Sequence, residues 1–180
     1  ISTPDSHFPI LAPVCALLAV LQKPPREVAM GIAITLHLLA AVIWVGGMFF
    51  AYMALRPAAL ELEAPQRLAL WSRTFKHFFA WVWGSVVVLP VSGYWMVFAV
   101  FGGFHNAGVH VQIMHILGVI MILLFLHVYF APYQRLKRAL ADSDFAAAAK
   151  QLGEIRVRVA VNLALGLIVI VVAAAGAYWS

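Results

Sequence analysis

Charge is the scarcest ingredient of this sequence. Only 11% of its 180 residues are Asp, Glu, Lys or Arg, against roughly 25% in soluble domains. Hydrophobic residues make up 64% where roughly 45–50% is usual, and the mean hydropathy is +0.95. A soluble chain of this length leaves too much surface in water to accommodate such a composition, so an ordinary soluble domain is excluded. Thiols are nearly absent as well. A lone cysteine, Cys15, excludes a disulfide framework, a multi-thiolate zinc site and an iron–sulfur cluster. Acidic residues number 7 against 12 basic ones, for a formal charge of +5. The basic residues flank apolar runs rather than forming a patch of their own, so they read as topology signals and not as a nucleic-acid surface.

What is present is a set of four apolar runs, each about the 20 residues that a bilayer crossing needs. They cover approximately 30–55, 77–101, 111–131 and 159–178, and none holds an Asp, Glu, Lys or Arg in its interior. Backbone polar groups in lipid have to be satisfied within the segment. The alternation of a β-barrel strand is missing. The expected fold is therefore all-α, a four-helix transmembrane bundle over residues 30–180, embedded in a lipid bilayer.

Orientation follows from Lys and Arg. Residues 56–76 carry Arg56, Arg67, Arg73 and Lys76, and residues 132–158 carry Arg135, Lys137, Arg138, Lys150, Arg156 and Arg158. The Phe101–His110 connection carries none. Both basic loops are expected in the cytoplasm, with the protein in a bacterial inner membrane and the opposite face towards the periplasm. Within 132–158, Asp142-Ser143-Asp144 is a capping cluster between two helical runs. Residues 1–29 fit this scheme poorly, since Pro9 and Pro13 interrupt the short Phe8–Gln22 run. They are read as an N-terminal extension, or as an upstream segment before a start at Met30.

Ionisable side chains inside a bilayer are functional hypotheses by default, and four of the seven histidines fall in spans: His37, His77, His115 and His127. By helical rise, His37 lies roughly 10 Å and His115 roughly 8 Å below the outer ends of spans one and three. His127 lies roughly 6 Å from the inner end of span three, and His77 opens span two on the same side. Two layers result: an outer pair, His37 with His115, and an inner pair, His77 with His127. Neutral imidazole is the commonest metal ligand, and two histidines from facing helices at one depth are what a bis-His b-type haem requires. Ala33, Ala41, Trp44 and Met48 lie within about 40° of His37 around the helix, and Trp81, Gly84, Val88 and Trp95 within about 40° of His77. His105 and His110, with Met114, add donors at the outer mouth, and thioether and imidazole both suit copper. Against these readings stands a bland one, in which each ring hydrogen-bonds a carbonyl or a neighbour such as Asn162. The methionines, likewise, serve as gap-filling core.

The run His37-Leu38-Leu39-Ala40-Ala41-Val42-Ile43-Trp44-Val45-Gly46-Gly47, continuing to Arg56-Pro57, resembles the first helix of the copper resistance protein D (CopD) family. Pro90-Val91-Ser92-Gly93 looks like that family's second helix. Span three, from Met114-His115 through His127 to Arg135-Leu136-Lys137, is also similar to membrane protoporphyrinogen oxidases of the HemJ kind, although no span here has that family's interior Lys. The CopD resemblance implies copper binding and transport across the inner membrane. In that picture His37 and His115 form an outer metal site, His105 and His110 assist uptake, and His77 with His127 form an inner site. A periplasmic copper or electron carrier is the implied partner. The matched depths alone favour the alternative, a haem-binding redox protein with the same pairs as axial ligands. A structural subunit whose histidines only hydrogen-bond is the third reading.

Overall fold

The computed structural model describes residues 25–176 and residue 178. His7, Cys15 and the Phe8–Gln22 run lie outside the described residues. Five helical elements follow in order: α1 (Pro25–Ala59), α2 (Ala64–Val100), α3 (Val109–Phe130), α4 (Pro132–Ala141) and α5 (Phe145–Gly176). The described residues contain no strand, and four helical stretches are long and apolar enough to cross a membrane. The all-helical, four-span architecture expected from the sequence is the one observed. With 37 and 32 residues, α2 and α5 reach about 55 Å and 48 Å, well beyond a hydrocarbon core of about 30 Å. Their basic ends therefore project out of the lipid.

Local chemistry sets the breaks. Pro132 has no N–H to offer the preceding turn, and the helix stops at Ala131 (φ −109°, ψ −87°) before restarting as α4. This element is amphipathic: Tyr133, Leu136 and Ala139 are buried while Arg135, Lys137 and Arg138 are exposed. The expected cap forms at Asp144, whose Oδ1 accepts the Ala147 N–H at 2.9 Å, and Ser143 takes φ +57° to make the turn. On the opposite side, Gly102 (φ 68°) and Gly103 (φ 129°) close the short connection between α2 and α3; these are conformations that glycine adopts without steric cost.

Helix α1 is irregular. It is α-helical over Pro25–Ala41, π-helical over Val42–Gly46, α-helical over Gly47–Phe50, π-helical again over Ala51–Leu55, and α-helical to Ala59. Such π segments are rare and frequently accompany functional sites.

Helix α1 packs on α2, and both α3 and α4 pack on α5. Small residues permit the close approaches, as expected where lipid removes the hydrophobic drive between helices. A methyl group placed on Gly166 of α5 would lie 2.8 Å from Val45 of α1 and 3.2 Å from Met121 of α3. One notch on α5 thus receives side chains from two spans. Gly47 is in similar contact with the Phe78 ring. Toward the basic end the core is aromatic: Phe75 stacks on Phe79 at 5.2 Å, and Phe79 meets Phe125 and Tyr133 edge-on at 5.6 Å and 5.0 Å.

Candidate functional site: an anchored imidazole away from the basic ends of the bundle

Ser92 is a buried polar residue of α2, eight residues before the helix ends at Val100 and so about 12 Å inside that end. Its Oγ donates to the Val88 carbonyl at 2.6 Å, with Leu89 O a longer second acceptor at 3.3 Å. This back-bonding is the usual way a helical serine satisfies itself. The hydroxyl proton being committed there, the 2.9 Å contact between Ser92 Oγ and His37 Nδ1 needs its proton from the imidazole. His37 is then the Nδ1–H tautomer, and its Nε2 lone pair remains for a ligand. Gly93 lets the ring lie flat on α2, since a Cβ there would sit 3.3 Å from His37 Cε1. His37 is half-buried on a buried stripe of Ala33, Ala40, Trp44 and Met48.

His115 is half-buried and enclosed by aromatics: its ring centre lies 4.9 Å from Phe104 and 5.5 Å from Tyr94. It is six residues inside the start of α3, about 9 Å deep. Its depth is thus close to that of His37. Their positions around α2 differ. Ser92 and Tyr94, two residues apart, point about 160° away from each other, so the two imidazoles sit on different flanks of the helix. A porphyrin axially ligated by this pair would have to pass through α2. These residues do not fit a bis-His haem.

The remaining candidates separate as well. His110 is half-buried and packs against Gly108 and against Gly176 at the end of α5, whereas His105 is exposed beside Gly103. His77 is two residues from both Phe75 and Phe79, which face the core, and it is exposed. Its neighbours around the helix, Trp81 (66% exposed) and Trp95 (38%), share that outward face. His127 lies between Phe125 and Tyr129, the residues that meet α2 through Trp83, and is exposed beside Ile120 and Leu123. Helical geometry thus turns both rings of the inner pair away from the α2–α3 contact. The structure brings neither expected pair together across one helix interface. Among the described residues no group of three or more His, Cys, Asp or Glu side chains is gathered to hold a metal ion.

Other polar and soft groups occupy the interior below His37. Met121 sits at the Gly166 notch. One turn further along α5, the buried Asn162 leaves its Oδ1 without a hydrogen-bond partner, beside a cavity of about 20 Å³ that Met48, Trp44 and Arg158 also line. Spacing along the chain gave no hint of these methionines, because their proximity to α5 is tertiary. Ser92 was detectable as a rare hydroxyl within an apolar span.

These features define a multi-pass helical membrane protein with one imidazole oriented by a hydroxyl in the half of its bundle away from the basic ends. The copper resistance protein D (CopD) family model matches residues 72–176, more than half of the chain and all of α3, α4 and α5 together with most of α2. The chain belongs to that family, and it is a copper-resistance membrane protein. The match begins after α1, so His37 lies outside the matched stretch. No curated protein and no solved structure matches the chain.

Proposed function

We propose that this protein carries copper across the bacterial inner membrane, with its basic ends in the cytoplasm and His37 as the ligand that receives the ion within the bilayer. The observation that carries the reading is the Ser92–His37 contact. It fixes the tautomer and orientation of the ring, as partners beyond the ligands commonly do for metal-binding histidines. Membership of a copper-resistance family supplies the cargo.

A descending series of soft or polar groups supports passage from that point. His37 is level with Ser92, about 12 Å from the outer end of α2. Met121 is level with Gly166, about 15 Å from the end of α5, and Met48 is near Asn162, about 21 Å from it. Thioethers favour Cu(I), and both methionines are buried. His115 and His110, with the exposed His105 nearest to solvent, take the ion from the periplasm or from a copper carrier there. Release at the cytoplasmic end proceeds without His77 and His127, whose rings face outward.

Proteoliposomes loaded with a Cu(I) indicator test the proposal. The wild-type protein should admit copper, His37→Ala should fall to the level of empty vesicles, and His105→Ala should retain most of the flux. Transport by His37→Ala at the wild-type rate refutes it.

A further inference from the structure

Three polar side chains are buried among the described residues: Ser85, Ser92 and Asn162. Both serines are satisfied, Ser85 by donating to the Trp81 carbonyl at 3.2 Å and Ser92 by its contacts with Val88 and His37. Asn162 is not. It is 5% exposed, and its Oδ1 has no hydrogen-bond partner among the described residues. A polar atom left unpaired inside a membrane span is costly, because lipid offers nothing to replace the missing bond. Such an atom calls for a physical explanation, and a bound ligand is one.

Asn162 lines a cavity at the meeting of all four spans. Trp44 and Met48 reach it from α1, Phe79 from α2, Phe125 from α3, and Arg158 from α5. Asn162 and Arg158 are one helical turn apart, so they share a face of α5. The oxygen and nitrogen of a carboxamide exchange places on a half-turn of the side chain, so Asn162 can offer its oxygen to this space.

Size, charge and hydrogen bonding each select the occupant. The volume is about 20 Å³; one water needs about 10–15 Å³, which leaves no room for a larger solute. The Glu154 carboxylate lies 3.4 Å from Arg158 Nη1 and offsets its charge, which favours a neutral ligand over a resident ion. The Glu154 contacts engage Nη1 alone, and a guanidinium carries N–H groups on its other nitrogens as well. A molecule that donates to Asn162 Oδ1 and accepts from Arg158 completes both groups. Water does both.

We infer that this cavity binds a single water molecule, held between the Asn162 carboxamide and the Arg158 guanidinium and in contact with the Met48 thioether. The water carries hydrogen-bonding capacity from the basic end of the bundle into its apolar interior, one turn of α5 short of the Gly166 notch. The assignment stands whatever the protein transports, because it rests on Asn162 and the cavity alone.

X-ray hydroxyl-radical footprinting of the full chain, copper-free and in lipid nanodiscs, tests it with a mass-spectrometric readout. Radiolysis of a bound water releases the radical in place, and a thioether beside it is converted to the sulfoxide. Met48 and Met121 are comparably buried, at 2% and 4% exposure, but Met121 does not line the cavity. Met48 should oxidise several-fold faster than Met121. Asn162→Leu, which keeps the branching and removes both polar atoms, should bring Met48 down to the Met121 rate, and Asn162→Ser should keep the excess. Equal oxidation of Met48 and Met121 in the wild-type protein overturns the inference, and that comparison needs no variant to fold. An excess at Met48 that survives in Asn162→Leu overturns it too, by showing access from bulk solvent instead of a water held by the carboxamide.

Discussion

Replacing Ser92 by alanine tests the central geometry because it has two consequences of very different size. The hydroxyl donates to the Val88 carbonyl and accepts from His37, so its loss costs one interhelical hydrogen bond between α1 and α2. Such bonds in membrane proteins contribute about 0.6 kcal/mol on average, and at most about 1.7. The fold should survive that. The copper site proposed at His37 should lose more. Without the hydroxyl acceptor the imidazole is free to exchange tautomers and to rotate, and loss of an outer-shell partner typically costs 10–100-fold in metal affinity, or about 1.4–2.7 kcal/mol. Competition for Cu(I) against a chromogenic chelator in detergent, run beside thermal unfolding, separates the two effects. Ser92→Ala should bind Cu(I) 10–100-fold more weakly with a small change in unfolding midpoint, and Ser92→Thr, which keeps the hydroxyl, should recover most of the affinity. If Ser92→Ala binds as tightly as wild type while His37→Ala does not bind, the tautomer argument is wrong.

Two further predictions concern packing and placement. Gly166→Ala puts a methyl against the stiff, buried Val45 side chain and should destabilise the protein by about 1–3 kcal/mol, whereas Gly118→Ala, with nothing within 4 Å, should be neutral or mildly stabilising by up to about 1 kcal/mol; denaturant unfolding in mixed micelles measures both. His77→Phe and His127→Phe replace exposed rings and should shift stability by no more than about 0.5 kcal/mol, with Cu(I) affinity unchanged in the same chelator competition. A large loss of affinity in either variant restores the inner pair to the pathway.

The spans and the depths of the histidines were readable from the sequence, and for one reason: lipid forces the backbone into helices of known rise, so position along the chain converts directly into height. His37 and His115 lie close to the heights that arithmetic assigns. Direction around each helix was not readable. In a soluble helix, polarity marks the outer face, but in α2 and α3 both faces are apolar. Trp81 and Trp95 near His77 therefore gave no sign that they point outward, and the His77–His127 pairing assumed a facing that the Phe79–Phe125 contact contradicts. Along α1 a helical wheel also loses its register at Val42, where the first π segment begins. The Asp144 cap and the Pro132 break were legible because each acts on its own turn of backbone. The Gly166 notch joins segments distant in sequence, and no local pattern encodes it.

The two wide turns of α1 have a mechanical consequence. Each π segment stores one residue more than a regular turn needs, and drawing that residue into ordinary α-helix would lengthen the rod by about 1.5 Å. The first span therefore holds about 3 Å of slack, a few per cent of its length being elastic in a way the uniformly wound α2, α3 and α5 are not. In a thicker bilayer those three have to straighten from their tilt or thin the lipid around them, while α1 can extend in place, keeping His37 and Arg56 each at its own depth.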